Sequence, residues 1–209
     1  MTIEVENISK KYNNNFIFKN LSYSFLSDKP VAIIGANGSG KSTLIKILAG
    51  ILTPDEGKII YRNNNVFIPE KEIYKFIAFL SPYSELVEEF TLFQIIEFNA
   101  KFSSFQKKLS TLDIIDMMNF SKYKNVLIKN FSSGMKQKLK IALCIFFKKY
   151  FLFFDEPCSN LDPPSKAWYR QIISEYLDNR LLIIASNSDE DETFYCTEKI
   201  NIQNYHTPD

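Results

Sequence analysis

The sequence has little of what would indicate a membrane-spanning, secreted or nucleic-acid-binding protein. No apolar run approaches the ~18 residues that cross a bilayer, because the longest candidates, 141–147 and 150–154, are separated by two lysines. The N-terminal segment has no signal-peptide design, since Glu4 and Glu6 interrupt its apolar residues. The 25 Lys and Arg residues nearly balance the 24 Asp and Glu residues, and this net charge of +1 gives no support for nucleic-acid binding.

Cysteine and histidine are scarce as well. The three cysteines, Cys144, Cys158 and Cys196, are odd in number and lack metal-ligand spacing, which predicts reduced thiols in a cytosolic compartment. The single histidine, His206, lies three residues from the C-terminal end of the sequence, and we predict that it is simply exposed. At 209 residues the chain is long enough to bury a full core as one domain.

Glycine is also infrequent, and its distribution is informative. Three of the six glycines fall in one stretch that directly follows the apolar run 31–34. That stretch reads Gly35-Ala36-Asn37-Gly38-Ser39-Gly40-Lys41-Ser42-Thr43. It fits the pattern G-x-x-x-x-G-K-[ST], the phosphate-binding loop, in which glycines permit positive φ and let the backbone approach an anion closely.

The residue types in this loop fit the phosphates of a nucleotide. Backbone N–H groups from Gly38 onward can point into one concavity, and a helix beginning near Lys41 adds the positive end of its dipole. Lys41 would reach the β- and γ-phosphates, and the Ser42 hydroxyl would ligate Mg²⁺. The predicted phosphate-binding residues are Asn37, Gly38, Ser39, Gly40, Lys41, Ser42 and Thr43.

Predicted strands alternate with predicted helices along most of the chain. Alternating or continuous apolar runs predict strands at 2–8, 16–25, 31–34, 58–62, 66–68, 76–80, 150–154, 181–185 and 199–202, with a polar turn at 10–15. Helical spacing follows the phosphate loop to about residue 50 and recurs in 91–119, from about 132, and in 163–177. This alternation predicts an α/β fold with a mainly parallel core sheet.

A pair of acids closes the apolar run 151–154. Asp155 and Glu156 would lie at the carboxyl end of a buried strand, where ligands bind in open α/β sheets. The stretch 151–156 has the form of a Walker B segment. In such a segment Asp155 would hold Mg²⁺, and Glu156 would polarise the attacking water as general base. Taken alone, the pair also fits an ordinary strand end capped by acids.

A further motif, Phe131-Ser132-Ser133-Gly134-Met135, resembles the LSGGQ signature of ABC-type ATPases. It lies between the phosphate loop and the Walker B segment, the order that this family requires. The stretch 157–163 resembles the family's D-loop, and Tyr12 occupies the place of the adenine-stacking aromatic. The resemblance implies one ABC ATPase domain over 1–209, with an N-terminal antiparallel β subdomain and an inserted helical subdomain at about 83–130.

The resemblance also implies how such a domain works. In the family, the signature of one nucleotide-binding domain closes over the γ-phosphate of ATP held by a second domain, in a homo- or heterodimer. Ser132 and Gly134 would make that contact, because a serine at a helix start supplies a hydroxyl and a glycine leaves N–H groups unobstructed. Ser132 also fits a plain N-cap, and the two roles are compatible.

Two residues that the family expects are replaced. Pro82 stands where the family places a glutamine that contacts Mg²⁺, and the residues left as substitutes are Ser81, Tyr83, Ser84 and Glu85. Asn187 stands at the position of the switch histidine. An asparagine can hydrogen-bond a γ-phosphate but cannot carry a proton or a positive charge, which predicts slow hydrolysis.

The resulting hypothesis is an ATP-binding and hydrolysing subunit of an ABC transporter, with ATP and Mg²⁺ as cofactors. It would lie peripherally on the cytoplasmic face of the cell membrane and pair with separate transmembrane permease subunits. The short chain resembles exporter-type subunits, such as the haem-exporter ATPase of cytochrome c maturation. The alternatives are an ATP-gated dimerisation module with very slow hydrolysis and a soluble ABC ATPase acting on DNA or ribosomes, which usually has a coiled-coil insertion or two such domains.

Overall fold

The computed structural model describes residues 1–13 and 15–206, and within them lie nine strands and six α-helices. The strands are β1 Thr2–Tyr12, β2 Asn15–Leu26, β3 Val31–Ile34, β4 Glu56–Asn63, β5 Val66–Ile68, β6 Ile77–Leu80, β7 Phe151–Asp155, β8 Leu181–Ser186 and β9 Glu198–Asn201. The helices are α1 Lys41–Leu48, α2 Leu92–Ala100, α3 Thr111–Met117, α4 Ser133–Ile145, α5 Pro163–Tyr176 and α6 Glu190–Thr193.

One sheet has the strand order β6-β7-β8-β3-β9, and all its neighbouring strands are parallel. The carboxyl ends of β3, β7 and β8 therefore meet at one edge, and the loops that follow them share that edge. Asp155 at the end of β7 is in register with Ala185 on β8. This arrangement brings the phosphate-binding motif, the acidic pair and Asn187 to one side of the molecule.

The two faces of the parallel sheet bury different cores. Along β7, Phe151 and Phe153 pack in the core that contains α1 and the first strands, whereas Leu152 and Phe154 pack in the core that contains α2 to α5. Alternate side chains of a strand point to opposite faces, so a strand covered on both sides must be apolar throughout. Every residue of β7 and β8 is buried, in agreement with this requirement.

The other sheet has the order β2-β1-β4-β5 with antiparallel pairing, which confirms the predicted N-terminal β subdomain beside a parallel core. The polar turn predicted at 10–15 was wrong in its extent, because β1 continues to Tyr12 and β2 begins at Asn15. Lys11 and Tyr12 are exposed yet still pair with Phe16 and Asn15. Polar side chains at an exposed strand end do not distinguish a strand from a turn.

The segment predicted as an inserted helical subdomain contains α2 and α3. Both helices begin with capping boxes, formed by Thr91 with Gln94 and by Ser110 with Asp113. Their buried residues join the same core as α4 and α5. The limits of 83–130 remain a prediction. Across the described ranges 1–13 and 15–206, the model contains no helix with the length and apolar character needed to span a membrane.

Candidate functional site

The glycine-rich loop connects β3 to α1 in the geometry that its sequence predicts. Gly38 and Gly40 have φ values of 77° and 95°, in the left-handed region where other residues are strained. A Cβ on Gly40 would also lie 2.3 Å from Cγ2 of Ile17 on β2, so glycine is required there on two counts. Gly40 is the N-cap of α1 and provides no side-chain cap, which leaves the first-turn N–H groups available to an anion.

Lys41 has all three ammonium hydrogens engaged within the protein. Its Nζ donates to the carbonyl oxygens of Gly35 and Ala36 at 2.9 and 3.0 Å, and to Oδ1 of Asn187 at 2.5 Å. The side chain is almost fully buried, and burial lowers the pKa of Lys41 while Glu156 and Asp155 act in the opposite direction. An incoming phosphate must therefore compete with these contacts for the ammonium group.

Ser42 and Asp155, which are 113 residues apart in the sequence, are adjacent in the site. The Ser42 hydroxyl donates to Oδ1 of Asp155 at 3.1 Å. Burial at the end of β7 raises the pKa of Asp155, and the hydrogen bond from Ser42 counteracts this rise. The structure thus brings together the two residues predicted from the sequence as metal ligands.

Asn187 bridges the lysine and the predicted general base. While its Oδ1 accepts from Lys41, its Nδ2 donates to Oε1 of Glu156 at 2.9 Å. Glu156 has a φ of 47°, a left-handed backbone that costs a non-glycine residue of order 1 kcal/mol or more and that clusters at functional sites. The three residues predicted to be catalytic are therefore connected by direct hydrogen bonds.

A cleft of about 520 Å³ collects most of the predicted residues. It is lined by Ile17, Asn37, Gly38, Gly40, Lys41, Ser42, Thr43, Pro82, Tyr83, Asp155, Glu156 and Asn187. Ile17 was not predicted as a site residue, because in the sequence it is an ordinary apolar strand residue without a functional group. Of the residues left open as substitutes for the glutamine, Tyr83 lines this cleft, whereas Ser81 is buried and accepts a hydrogen bond from the Tyr83 N–H.

Besides the signature residues, two predicted nucleotide-binding residues lie outside the lining of this cleft. Tyr12, at the end of β1, is 52% exposed, with the Lys10 ammonium 5.6 Å from its ring centroid. The Ser39 side chain is buried in the loop, and its hydroxyl has no partner among the residues that the structure describes. His206 is exposed, as predicted, and its Nε2 also lies 3.1 Å from the carbonyl oxygen of Ser39.

The signature residues surround a different cavity, of about 400 Å³. Ser132 is the N-cap of α4, and its Oγ accepts from the Met135 N–H at 3.2 Å, which agrees with the N-cap interpretation. A Cβ on Gly134 would lie 2.9 Å from the carbonyl oxygen of Asn160, so glycine permits close packing between α4 and the loop after β7. The lining is Phe120, Ser132, Ser133, Gly134, Met135, Lys138, Asn160, Asp162 and Ser165.

Comparison with known proteins agrees with this geometry. The model of the ABC transporter family matches residues 18–159. An uncharacterised ABC transporter ATP-binding protein of Bacillus subtilis, YybJ, is 30% identical over 197 residues, which cover 93% of this chain and 89% of that protein. The chain therefore belongs to the ABC transporter family, as an ATP-binding domain.

Solved structures share the fold. A putative ABC transporter ATP-binding protein from Pyrococcus furiosus superimposes with a TM-score of 0.81 at 22% identity, covering 99% of this chain and 100% of that one. A dimeric ATP-binding cassette in a post-hydrolysis state, bound to ADP and phosphate, gives a TM-score of 0.78 at 19% identity, covering 96% and 94%. At these identities the likeness establishes the fold.

Proposed function

We propose that this ATP-binding domain hydrolyses ATP and drives separate membrane subunits of a transporter by ATP-dependent dimerisation. The observation that carries the proposal is the convergence of Lys41, Glu156 and Asn187 on one cleft, beside the pair Ser42 and Asp155. The domain would lie peripherally on the cytoplasmic face of the membrane.

ATP would enter this cleft with its phosphates on the loop 35–43. The N–H groups at the start of α1 and the Lys41 ammonium would bind the β- and γ-phosphates, and the ammonium would exchange its contact with Asn187 for one with phosphate. The exposed ring of Tyr12 would stack on the adenine, and Ile17 would provide an apolar wall nearer the phosphates.

The residues at the base of the cleft fit Mg²⁺. A hydroxyl and a carboxylate are hard oxygen donors, and Mg²⁺ typically takes one or two protein ligands with the rest from phosphates and water. Ser42 and Asp155 would hold the ion, which would neutralise phosphate charge. A buried aspartate of raised pKa favours a cation beside it, since the ion stabilises the carboxylate form.

Glu156 would accept the proton of the attacking water. Its carboxylate lines the cleft, and the amide of Asn187 holds one of its oxygens. Asn187 would orient the water and the γ-phosphate by hydrogen bonding but would not exchange protons. We therefore propose that hydrolysis is slow compared with a site that has histidine at this position.

The separation of the two cavities supports the proposed dimerisation. Ser132 and Gly134 line a cavity whose residues differ from those of the phosphate cleft. The N-terminus of α4 would act on a nucleotide held by a second domain, which the dimeric cassette with the same fold supports. The partner domain would be a second copy or a related chain.

The Glu156→Gln variant tests the proposal. An amide cannot accept the water's proton, so we expect ATP binding to persist, turnover to stop and the variant to elute as an ATP-dependent dimer in size-exclusion chromatography. Adding Ser132→Arg to Glu156→Gln should abolish that dimer while each monomer still binds ATP. Turnover near the parental rate would reject Glu156 as the base, and a dimer that survives the arginine would reject the shared site.

A further inference from the structure

Glu192 is a buried acid that the proposed mechanism does not use. It lies on the short helix α6 and is only 4% exposed. Burial raises the pKa of Glu192 to about 7, and the charges of Asp189 and Glu156 act in the same direction. A carboxyl group kept in such surroundings needs hydrogen-bond partners, because an unpaired buried polar group is costly.

The partners of Glu192 belong to two different loops of the site. Its Oε1 accepts the backbone N–H of Cys158 at 3.0 Å, and its Oε2 accepts the hydroxyl of Ser186 at 2.5 Å. Cys158 follows Glu156 by two residues, and Ser186 directly precedes Asn187. One carboxylate therefore connects the loop after β7, which contains Glu156, to the loop after β8, which contains Asn187.

Glu192 is itself held in place from outside the cleft. The Tyr169 hydroxyl of α5 donates to the Glu192 backbone oxygen at 3.2 Å. Lys166 of α5 forms ion pairs with Asp189 and Asp191 at 2.8 and 3.4 Å, which fixes the N-terminal end of α6 against α5. The carboxylate thus has a defined position relative to the sheet, and it can transmit that position to both loops.

We propose that Glu192 is a positioning residue: by joining the loops after β7 and β8, it keeps Glu156 and Asn187 in the relative positions that ATP hydrolysis requires. The inference rests on the proposed hydrolytic function of that site. Without the carboxylate, both the buried Cys158 N–H and the Ser186 hydroxyl lose the hydrogen-bond acceptor that Glu192 provides. The backbone bond from the Glu156 N–H to the Ala185 carbonyl oxygen, at 2.9 Å, still joins the strand ends, but the loop residues beyond them lose their shared anchor. The hydrogen bond between Asn187 and Glu156 is then no longer enforced.

Glutamine and alanine distinguish positioning from a merely structural role. In Glu192→Gln, Oε1 can accept from Cys158 and Nε2 can donate to Ser186, so both connections persist. In Glu192→Ala neither persists. We expect the alanine variant to lose at least about tenfold in single-turnover hydrolysis, since small misplacements of reacting groups cost up to about 10²-fold. Its ATP affinity should change less than about threefold, because the phosphate loop is untouched, and the glutamine variant should retain the parental rate.

A second measurement does not depend on ATP hydrolysis. Alkylation of Cys158 by iodoacetamide, followed by mass spectrometry, reports local opening of the loop after β7, because this thiol is buried in the closed loop. Glu192→Ala should accelerate alkylation of Cys158 and leave Cys144, buried on α4, at the parental rate. Glu192→Gln is the matched control, since it removes the negative charge beside Cys158 and keeps both connections; it should label and hydrolyse as the parent does.

These readouts separate the two proposals. Equal hydrolysis in parent and Glu192→Ala, or equal impairment in the alanine and glutamine variants, would overturn the positioning role. Unchanged labelling of Cys158 in Glu192→Ala would also overturn it. A parent that does not hydrolyse ATP would refute the proposed function, while the labelling experiment would still decide whether Glu192 ties the loops together.

Discussion

Replacing Glu192 with glutamine should change how the stability of the protein depends on pH. Burial raises the pKa of this carboxyl from its ordinary 4.5 to about 7 in the folded protein. Its surroundings include Asp189 and Glu156, which favour the protonated form, while the hydrogen bonds from Ser186 and Cys158 favour the carboxylate. The neutral amide of glutamine fits the same space and does not titrate.

The sign follows from proton linkage. Below pH 4.5 the group is protonated in both the folded and unfolded states, and it does not oppose folding through ionisation. Between 4.5 and about 7 the unfolded chain releases its proton while the folded protein retains it, so the stability of the parent falls as the pH rises. One pKa unit corresponds to about 1.4 kcal/mol, which gives roughly 3 kcal/mol lost once both states are ionised.

The assay is denaturation of parent and Glu192→Gln at pH 5, 6, 7 and 8. Titrating groups common to both proteins cancel when the two free energies of unfolding are subtracted. The free energy of unfolding of the variant, relative to that of the parent, should therefore increase by about 2–3 kcal/mol between pH 5 and pH 8. For a chain of this length that gain corresponds to a change of about 5–10 °C in the difference between their Tm values. A difference that does not vary with pH would show that Glu192 titrates normally and would refute this account of its burial.

Two further predictions concern the phosphate cleft. Lys41→Ala should weaken ATP binding by about 10- to 150-fold, because a charge-assisted contact is worth roughly 1.5–3 kcal/mol; unchanged affinity in calorimetry would sink the phosphate-loop role. Asn187→His should raise single-turnover hydrolysis tenfold or more, since a positioned acid–base group is typically worth about 10²–10⁴; an equal or slower rate at preserved ATP affinity would mean that Asn187 does not limit the chemistry.

Much of the fold could be predicted because its signals are local. Continuous apolar runs marked β7 and β8, whose two faces are both covered, and helical spacing marked α2, α3 and α4. The phosphate-binding loop could be recognised because consecutive residues supply its backbone geometry. Strand ends were harder to locate: β1 extends through Lys11 and Tyr12 because pairing with β2 holds the exposed residues there.

The connections within the site could not be predicted in the same way. Asn187 was expected near the γ-phosphate, but its simultaneous contacts with Lys41 and Glu156 depend on how β3, β7 and β8 align in the sheet. Ile17 lines the cleft only because β2 passes over Gly40. Each of these contacts is between residues far apart in the sequence, and no short sequence pattern encodes such a contact.

Glu192 makes the division clearest. In the sequence it is one of four consecutive acids at 189–192, and nothing distinguishes it from the other three. Packing of α6 against α5 buries this one side chain and turns its carboxylate toward Cys158 and Ser186. The sequence by itself determined the class of fold and the chemistry of the phosphate loop, because both depend on neighbouring residues. Tertiary structure alone decided which acid is buried and which loops it joins, because burial and hydrogen bonding depend on the three-dimensional surroundings of a group.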